Sequence, residues 1–288
     1  MLEFLSEKFY KPIMRLNILN VEEIRLRVGC AAVVKAFGKY SYLSSFGCSE
    51  ELEKAISFTE KDKDELFSSL TEKSVYAFKE QIARGFISNG GVRTGIGGRC
   101  VTVNENVEYI TDFTSFNIRI PHRVEGAANE LLNYYSDGIE NTLVLSLPGN
   151  GKTTFVRDIA ENISASKRKN VLIADERGEI FPLIKNKNFI DCISFSPKKY
   201  AFENGIRSLA PDVIVTDEIF GERDYFAIEN AVRSGVKVIA TAHADSIDDF
   251  FSFKENCRMK ELFSYFVLIE YENGKRKIKI ERNNLCGR

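Results

Sequence analysis

Lys152 sits in Gly151-Lys152-Thr153-Thr154, a run preceded by the apolar segment Thr142–Leu147 and a Pro148-Gly149-Asn150 turn. A strand, a glycine-bearing turn and the opening residues of a helix, in that order, make a phosphate-binding loop. Such a turn points several backbone N–H groups at one anion, and the helix adds the positive end of its dipole. Lys152 would then reach the β- and γ-phosphates, and the Thr153 hydroxyl would ligate Mg²⁺. Pro148, Gly149, Asn150, Gly151 and Thr154 complete the candidate binding loop. One position departs from G-x-x-x-x-G-K-[ST], because Ser146 stands where the first glycine would be. The expected ligand is a nucleoside triphosphate with its Mg²⁺.

Binding is not hydrolysis, and three further segments bear on the chemistry. Pro211–Glu218 is an apolar run that ends in two carboxylates, as a Walker B strand does. Asp217 would hold Mg²⁺, largely through water, and Glu218 would orient or deprotonate the attacking water. Val171–Glu179 also ends an apolar run in carboxylates. Strand C-termini of open α/β sheets face the ligand crevice, which would bring Glu176 near the γ-phosphate. The alternative is a solvated turn with a local Glu–Arg pair. Val238–Ala244 sets Thr241 and His243 at the end of another apolar run, where a γ-phosphate sensor would stand. No metal-ligand cluster, Cys/His pair or Ser/His/Asp set has usable context.

The elements that must position these groups alternate from about Asn141 onward. Strand-like runs at Thr142–Leu147, Asn170–Ala174, Phe189–Ser194, Val213–Asp217 and Lys237–Ala242 are separated by helix-like stretches at Lys152–Ser164, Lys199–Leu209 and Asp224–Ser234. Repeated βα units of this kind build a mainly parallel sheet covered on both faces. The last runs, Tyr265–Tyr271 and Lys275–Arg282, flank Asn273-Gly274, a strong hairpin signal. The lysines of the final run suit a guarded sheet edge better than a nucleic-acid surface.

The first 125 residues have another rhythm. Helix-like stretches at Leu2–Leu16 and Glu60–Ile87 flank a β-like region, Ile24–Tyr42, and a second β-rich stretch runs from Arg99 to Ile120. A smaller α+β domain, 1–125, is expected ahead of the α/β domain, 126–288, with the join near Pro121–Gly126. The glycine cluster Gly90–Arg99 has the wrong spacing for a dinucleotide fingerprint and leads into a strand. It reads either as a turn needing positive φ or as a mobile loop presenting Arg93 and Arg99.

Bulk properties narrow the class. The chain has 288 residues, 44% of them hydrophobic and 28% charged, with a formal net charge of −1. That balance gives no sign of a strongly basic nucleic-acid binder, although a local patch is compatible with it. Six scattered cysteines without C-x-x-C spacing read as reduced thiols. The first residues lack the order of a signal peptide, and apolar runs such as Phe263–Ile269 are too short to span a bilayer. A cytosolic protein with no direct membrane insertion is expected.

Taken together the motifs resemble the stage III sporulation protein AA family, P-loop ATPases of endospore-forming bacteria related to type II and type IV secretion ATPases. The resemblance rests on Glu22–Arg27, Gly90–Arg99, Ser115–Pro121, Pro148–Thr154, Ala174–Glu179, Pro211–Glu218 and Val238–His243, in that order. It implies a RecA-like ATPase core behind a smaller N-terminal domain, with ATP and Mg²⁺ as ligands and a hexameric ring as the active form. It also implies work on the mother-cell side of the channel to the forespore, beside integral membrane components of that channel. By the same resemblance Glu176 falls in an acidic box and Thr241 and His243 in a histidine box. Asp217-Glu218 replaces the Gly-Glu common in secretion ATPases, which leaves the division of labour between Glu176 and Glu218 open. Arginines of the N-terminal domain approach the γ-phosphate in such enzymes, and Arg93, Arg99, Arg119 and Arg123 are the candidates here. Ser146 is compatible with this family's loop. The reading is of an ATPase that drives assembly or transport. A nucleic-acid-dependent ATPase and a nucleotide-gated scaffold are the alternatives, and the short chain after Asn273-Gly274 argues against an appended nucleic-acid module.

Overall fold

Short runs with apolar residues at every second position fold as strands in the first half of the chain. The computed structural model describes residues 2–103, 106–122, 124–272 and 275–283. It divides into two compact units, Met1–His122 and Arg123–Arg288. The first contains α1 (Glu7–Arg15), β1 (Val21–Arg27), β2 (Cys30–Ala31), β3 (Val33–Ala36), β4 (Lys39–Ser44), β5 (Gly47–Ser49) and β6 (Ser57–Phe58). These are followed by α2 (Glu60–Leu70), α3 (Lys79–Ala83), β7 (Phe86–Asn89), β8 (Val92–Val103) and β9 (Asn106–Arg119). Seven strands form one sheet in the order β5-β4-β3-β1-β9-β8-β7, antiparallel at every pairing. Phe9 and Ile13 of α1 and Leu66 and Leu70 of α2 pack into a core with Phe58 and Phe116.

Three expectations for this unit are corrected. The first helix starts only at Glu7, not at Leu2. The helix expected over Glu60–Ile87 stops at Leu70, because Glu72 and Lys73 take left-handed φ values of 50° and 62°. Its far end becomes β7, since Phe86 and Ile87 are buried and pair with Gly95 and Thr94. Gly90–Arg99 is no mobile loop. Gly90 and Gly91, both at positive φ, make the two-residue turn between Asn89 and Val92, and the rest is strand. A Cβ at Gly98 would stand 2.6 Å from the Thr111 carbonyl oxygen, so the close approach of β9 requires glycine there. Arg93, Arg99 and Arg119 therefore sit on paired strands of this unit, while Arg123 lies outside the described residues.

The second unit contains α4 (Asn129–Tyr134), β10 (Thr142–Ser146), α5 (Lys152–Lys167), β11 (Val171–Asp175), β12 (Ile190–Ser194), α6 (Lys198–Leu209) and β13 (Val213–Thr216). It continues with α7 (Gly221–Arg233), β14 (Lys237–His243), α8 (Ile247–Ser252), β15 (Tyr265–Glu272) and β16 (Lys275–Arg282). The sheet order is β12-β11-β13-β14-β10-β15-β16. All pairings are parallel except β15–β16. Every residue of β10, β11 and β13 is buried, as strands covered on both faces must be. Leu143, Leu172 and Ile214 face a core shared with α6, α7 and α8. Val144, Ile173 and Val215 face the opposite core, filled by α4 and α5. Asn141 fixes the base of β10, donating to the Leu262 carbonyl at 2.9 Å and accepting from the Val238 N–H at 2.9 Å. The Asn273-Gly274 turn lies outside the described residues, but the strands on either side of it pair from Tyr265↔Arg282 to Glu272↔Lys275. Among the described residues, no helix is long and apolar enough to cross a membrane.

Candidate active site

β10 leads directly into the candidate phosphate loop, and glycine conformation shapes it. Gly149 and Gly151 have φ of +83° and +86°, and Gly151 caps the start of α5 in the left-handed region. Pro148 and Gly149 are exposed, whereas Asn150, Thr153 and Thr154 are half-buried. Ser146 needs no glycine backbone. Its hydroxyl donates to the Leu147 carbonyl at 2.9 Å and accepts from Lys152 Nζ at 3.2 Å.

Lys152, in the first turn of α5, is 6% exposed. Its ammonium donates to the Ser146 carbonyl at 2.8 Å and meets His243 Nδ1, at the end of β14, at 2.8 Å. An ammonium has only donors, so Nδ1 accepts and the imidazole carries its proton on Nε2. Nε2 lies 2.7 Å from Glu218 Oε1, and the second Glu218 oxygen pairs with Arg177. A continuous chain thus runs Lys152, His243, Glu218, Arg177. Burial pulls Lys152 down to about 8, against the upward pull of the Glu218 charge, with Arg177 adding to the depression. The Glu218 backbone N–H is held by the Thr241 hydroxyl at 3.0 Å, so β13 and β14 present their ends as one piece.

A second group lies along the ends of β11 and β13. Lys198, at the start of α6, donates to Glu176 at 2.7 Å and stands 3.6 Å from Asp217 Oδ1. Asp217 is 8% exposed. Both its carboxylate oxygens are shielded from solvent with no hydrogen-bond partner among the described residues. Burial pushes Asp217 up to about 6; Lys198 opposes this, and Asp175 adds to it. Such a carboxylate suits a cation that brings its own hydration shell, and with the Thr153 hydroxyl it offers the oxygen donors that Mg²⁺ takes. The residues fit the ion.

The turn after β11 is not a solvated one with a local Glu–Arg pair. Asp175 is fully buried and accepts from the Glu179, Ile180 and Phe181 N–H groups at 2.9 to 3.0 Å. Arg157, from α5, donates to the Ile180 and Glu179 carbonyls of the same turn. Arg177 pairs instead with Glu218, just past the end of β13, and Glu176 with Lys198 of α6.

The family model for sporulation stage III, protein AA matches residues 4–284. The chain belongs to this family. Stage III sporulation protein AA of Bacillus subtilis (strain 168) is 33% identical over 270 residues, which covers 89% of this chain and 84% of that protein. Among solved structures, the fold is similar to the pilus retraction motor PilT with bound ADP, with TM-score 0.65, 16% identity, and 97% of this chain and 84% of that one covered. The ATPase DotB of Yersinia pseudotuberculosis is similar to the same degree, with TM-score 0.65, 17% identity, and 98% and 81% covered. The resemblance in sequence and the α/β architecture are both borne out: this family member has a fold similar to those of PilT and DotB.

Within it, sequence reasoning missed two groups. Lys198 gave no signal, because a Lys-Lys pair at a helix start looks like solvated charge, yet its side chain is 8% exposed between two carboxylates. Arg177 stood inside a quoted motif without a role. Position offered the available clue: both follow strands whose C-terminal ends face the crevice.

Proposed function

We propose that this family member is a Mg²⁺-dependent ATPase whose turnover drives assembly of, or transport through, the channel between mother cell and forespore. One arrangement carries the reading: a buried Asp217 whose carboxylate oxygens have no hydrogen bond among the described residues, beside Glu218, whose carboxylate is tied through His243 to Lys152. In this reading Lys152 leaves the Ser146 and Leu147 carbonyls for the β- and γ-phosphates of ATP, which the N–H groups of Gly149–Thr154 cradle. Thr153 and Asp217 would hold Mg²⁺, which neutralises developing phosphate charge. Glu218 takes the proton of the attacking water as its oxygen bonds to the γ-phosphorus. The bond to the β–γ bridging oxygen breaks, and ADP and phosphate leave. His243 fixes the Glu218 carboxylate and senses the γ-phosphate through Lys152, while Glu176 and Lys198 hold the neighbouring charge. The working form is a homo-oligomeric, hexameric ring on the cytoplasmic, mother-cell side, docked through integral membrane components. Family membership and the likeness in fold to PilT and DotB support this.

ATP turnover of purified wild type, Lys152→Ala and Glu218→Gln tests it. Glu218→Gln is expected to lose about 10²- to 10⁴-fold in kcat while still binding ATP, as removal of a general base does. Lys152→Ala is expected to lose binding. Turnover within twofold of wild type in either variant overturns the hydrolytic reading. Sporulation supported at full level by Glu218→Gln would instead favour a nucleotide-gated scaffold.

A further inference from the structure

β15 lies parallel beside β10 with Leu268 level with Leu145, but it runs on to Glu272 whereas β10 stops at Ser146. At about 3.3 Å per residue, Tyr271 stands roughly 10 Å beyond the level of Leu145, alongside the phosphate loop. Side chains alternate along the strand. Tyr265, Val267 and Ile269 pack into the core that holds Phe155 and Val156 of α5, and Tyr271 continues that row. Its cross-strand partner is Arg276, which continues the row of Ile278 and Ile280 on β16. The end of the hairpin thus turns an aromatic ring and a guanidinium toward the first turn of the helix that begins at Lys152.

Two observations, one on each residue of this pair, point to a ligand at the end of the hairpin. The Arg276 guanidinium lies 5.6 Å from the centre of the Phe155 ring, and its Nε and Nη2 are shielded from solvent without a hydrogen-bond partner among the described residues. Buried donors are rarely left in this condition unless something else satisfies them. Tyr271 is 55% exposed and lines a cleft of about 580 Å³ with Leu147 and Asn150 of the loop and the charged side chains of Glu270, Glu272, Lys277 and Lys279; Arg276, its cross-strand partner, stands beside this cleft rather than in its lining. The cleft is ample for a nucleoside. We propose that the β15–β16 hairpin recognises the non-phosphate end of the nucleotide, the base stacking on Tyr271 and Arg276 donating to base or ribose acceptors. The inference rests on the nucleotide-binding reading above, which locates only the phosphates.

The test compares binding of Mg-ATP and of Mg-tripolyphosphate, which has the phosphates but no base, to the full chain by calorimetry. Tyr271→Ala is expected to weaken ATP about tenfold, the size of a lost base stack, and to leave tripolyphosphate unchanged. Tyr271→Phe should restore ATP affinity, and Arg276→Gln should weaken ATP alone. Tyr271→Ala and Arg276→Gln binding ATP within twofold of wild type, while Lys152→Ala loses both ligands, overturns the subsite and leaves the phosphate site standing. Equal losses of both ligands in Tyr271→Ala overturn it too, since the hairpin would then only support the loop. A wild type that binds neither ligand overturns the nucleotide reading itself.

Discussion

Asp217 shows how burial and function oppose each other at one side chain. An ordinary aspartate titrates near 3.9, and burial raises this one to about 6. Between those values the folded state binds more protons than the unfolded one, so this group removes stability as pH rises through about 4 to 6. Above pH 6 the Lys198 ammonium, 3.6 Å away, offsets only part of the cost of the buried charge, which leaves a penalty of up to about 3 kcal/mol. Asp217→Asn in Mg²⁺-free buffer is therefore expected to be more stable than wild type at pH 7.5, by about 1–3 kcal/mol, with the gain vanishing near pH 4. Urea unfolding at the two pH values checks it, and a variant less stable at pH 7.5 contradicts it. The types and strand-end positions of Lys152, Asp217, Glu218 and His243 were legible because each follows an apolar run whose end must face the crevice. Their bonds were not. The link from Lys152 to His243 spans 91 positions, and only the adjacency of β10 and β14 brings the two within 2.8 Å.

Elements decide whether such groups stay aimed. The turn after β11 is held from inside by Asp175 and from α5 by Arg157, 3% exposed and bonded to two carbonyls of the turn. Arg157→Met keeps the apolar stem but leaves those carbonyls unpaired, at a cost of about 2–4 kcal/mol. The same change should lower kcat by releasing Glu176 and Arg177; urea unfolding and steady-state turnover read the two effects. Unchanged values in both would show that Asp175 holds the turn alone. The βα alternation of the second half was readable since buried parallel strands are apolar throughout and their helices amphipathic. The Glu60–Ile87 stretch misled, because helical periodicity carries no record of the edge at which Phe86–Asn89 pairs with β8. Likewise Gly97 and Gly98 look like loop residues until β9 lies against them.

Assembly is where the proposed ring makes its own prediction. Mass-resolved size exclusion of wild type with a non-hydrolysable ATP analogue is expected to show a ring-sized species that neither nucleotide-free protein nor Lys152→Ala forms. A monomer under all conditions would remove the ring from the reading. Much of this protein was already written in local order: the phosphate-loop signature, the strand-end carboxylates, the family and the α/β character of the second half. Those are local properties, set by residue type and by the two- and 3.6-residue periods that burial imposes. What awaited tertiary structure was every relation between distant strands. The pairing of Arg177 with Glu218, the placing of Lys198 between Glu176 and Asp217, and the row that carries Tyr271 and Arg276 past the loop all belong here. Strand order and register create these contacts, and the packing of whole elements, which no local run encodes, sets both.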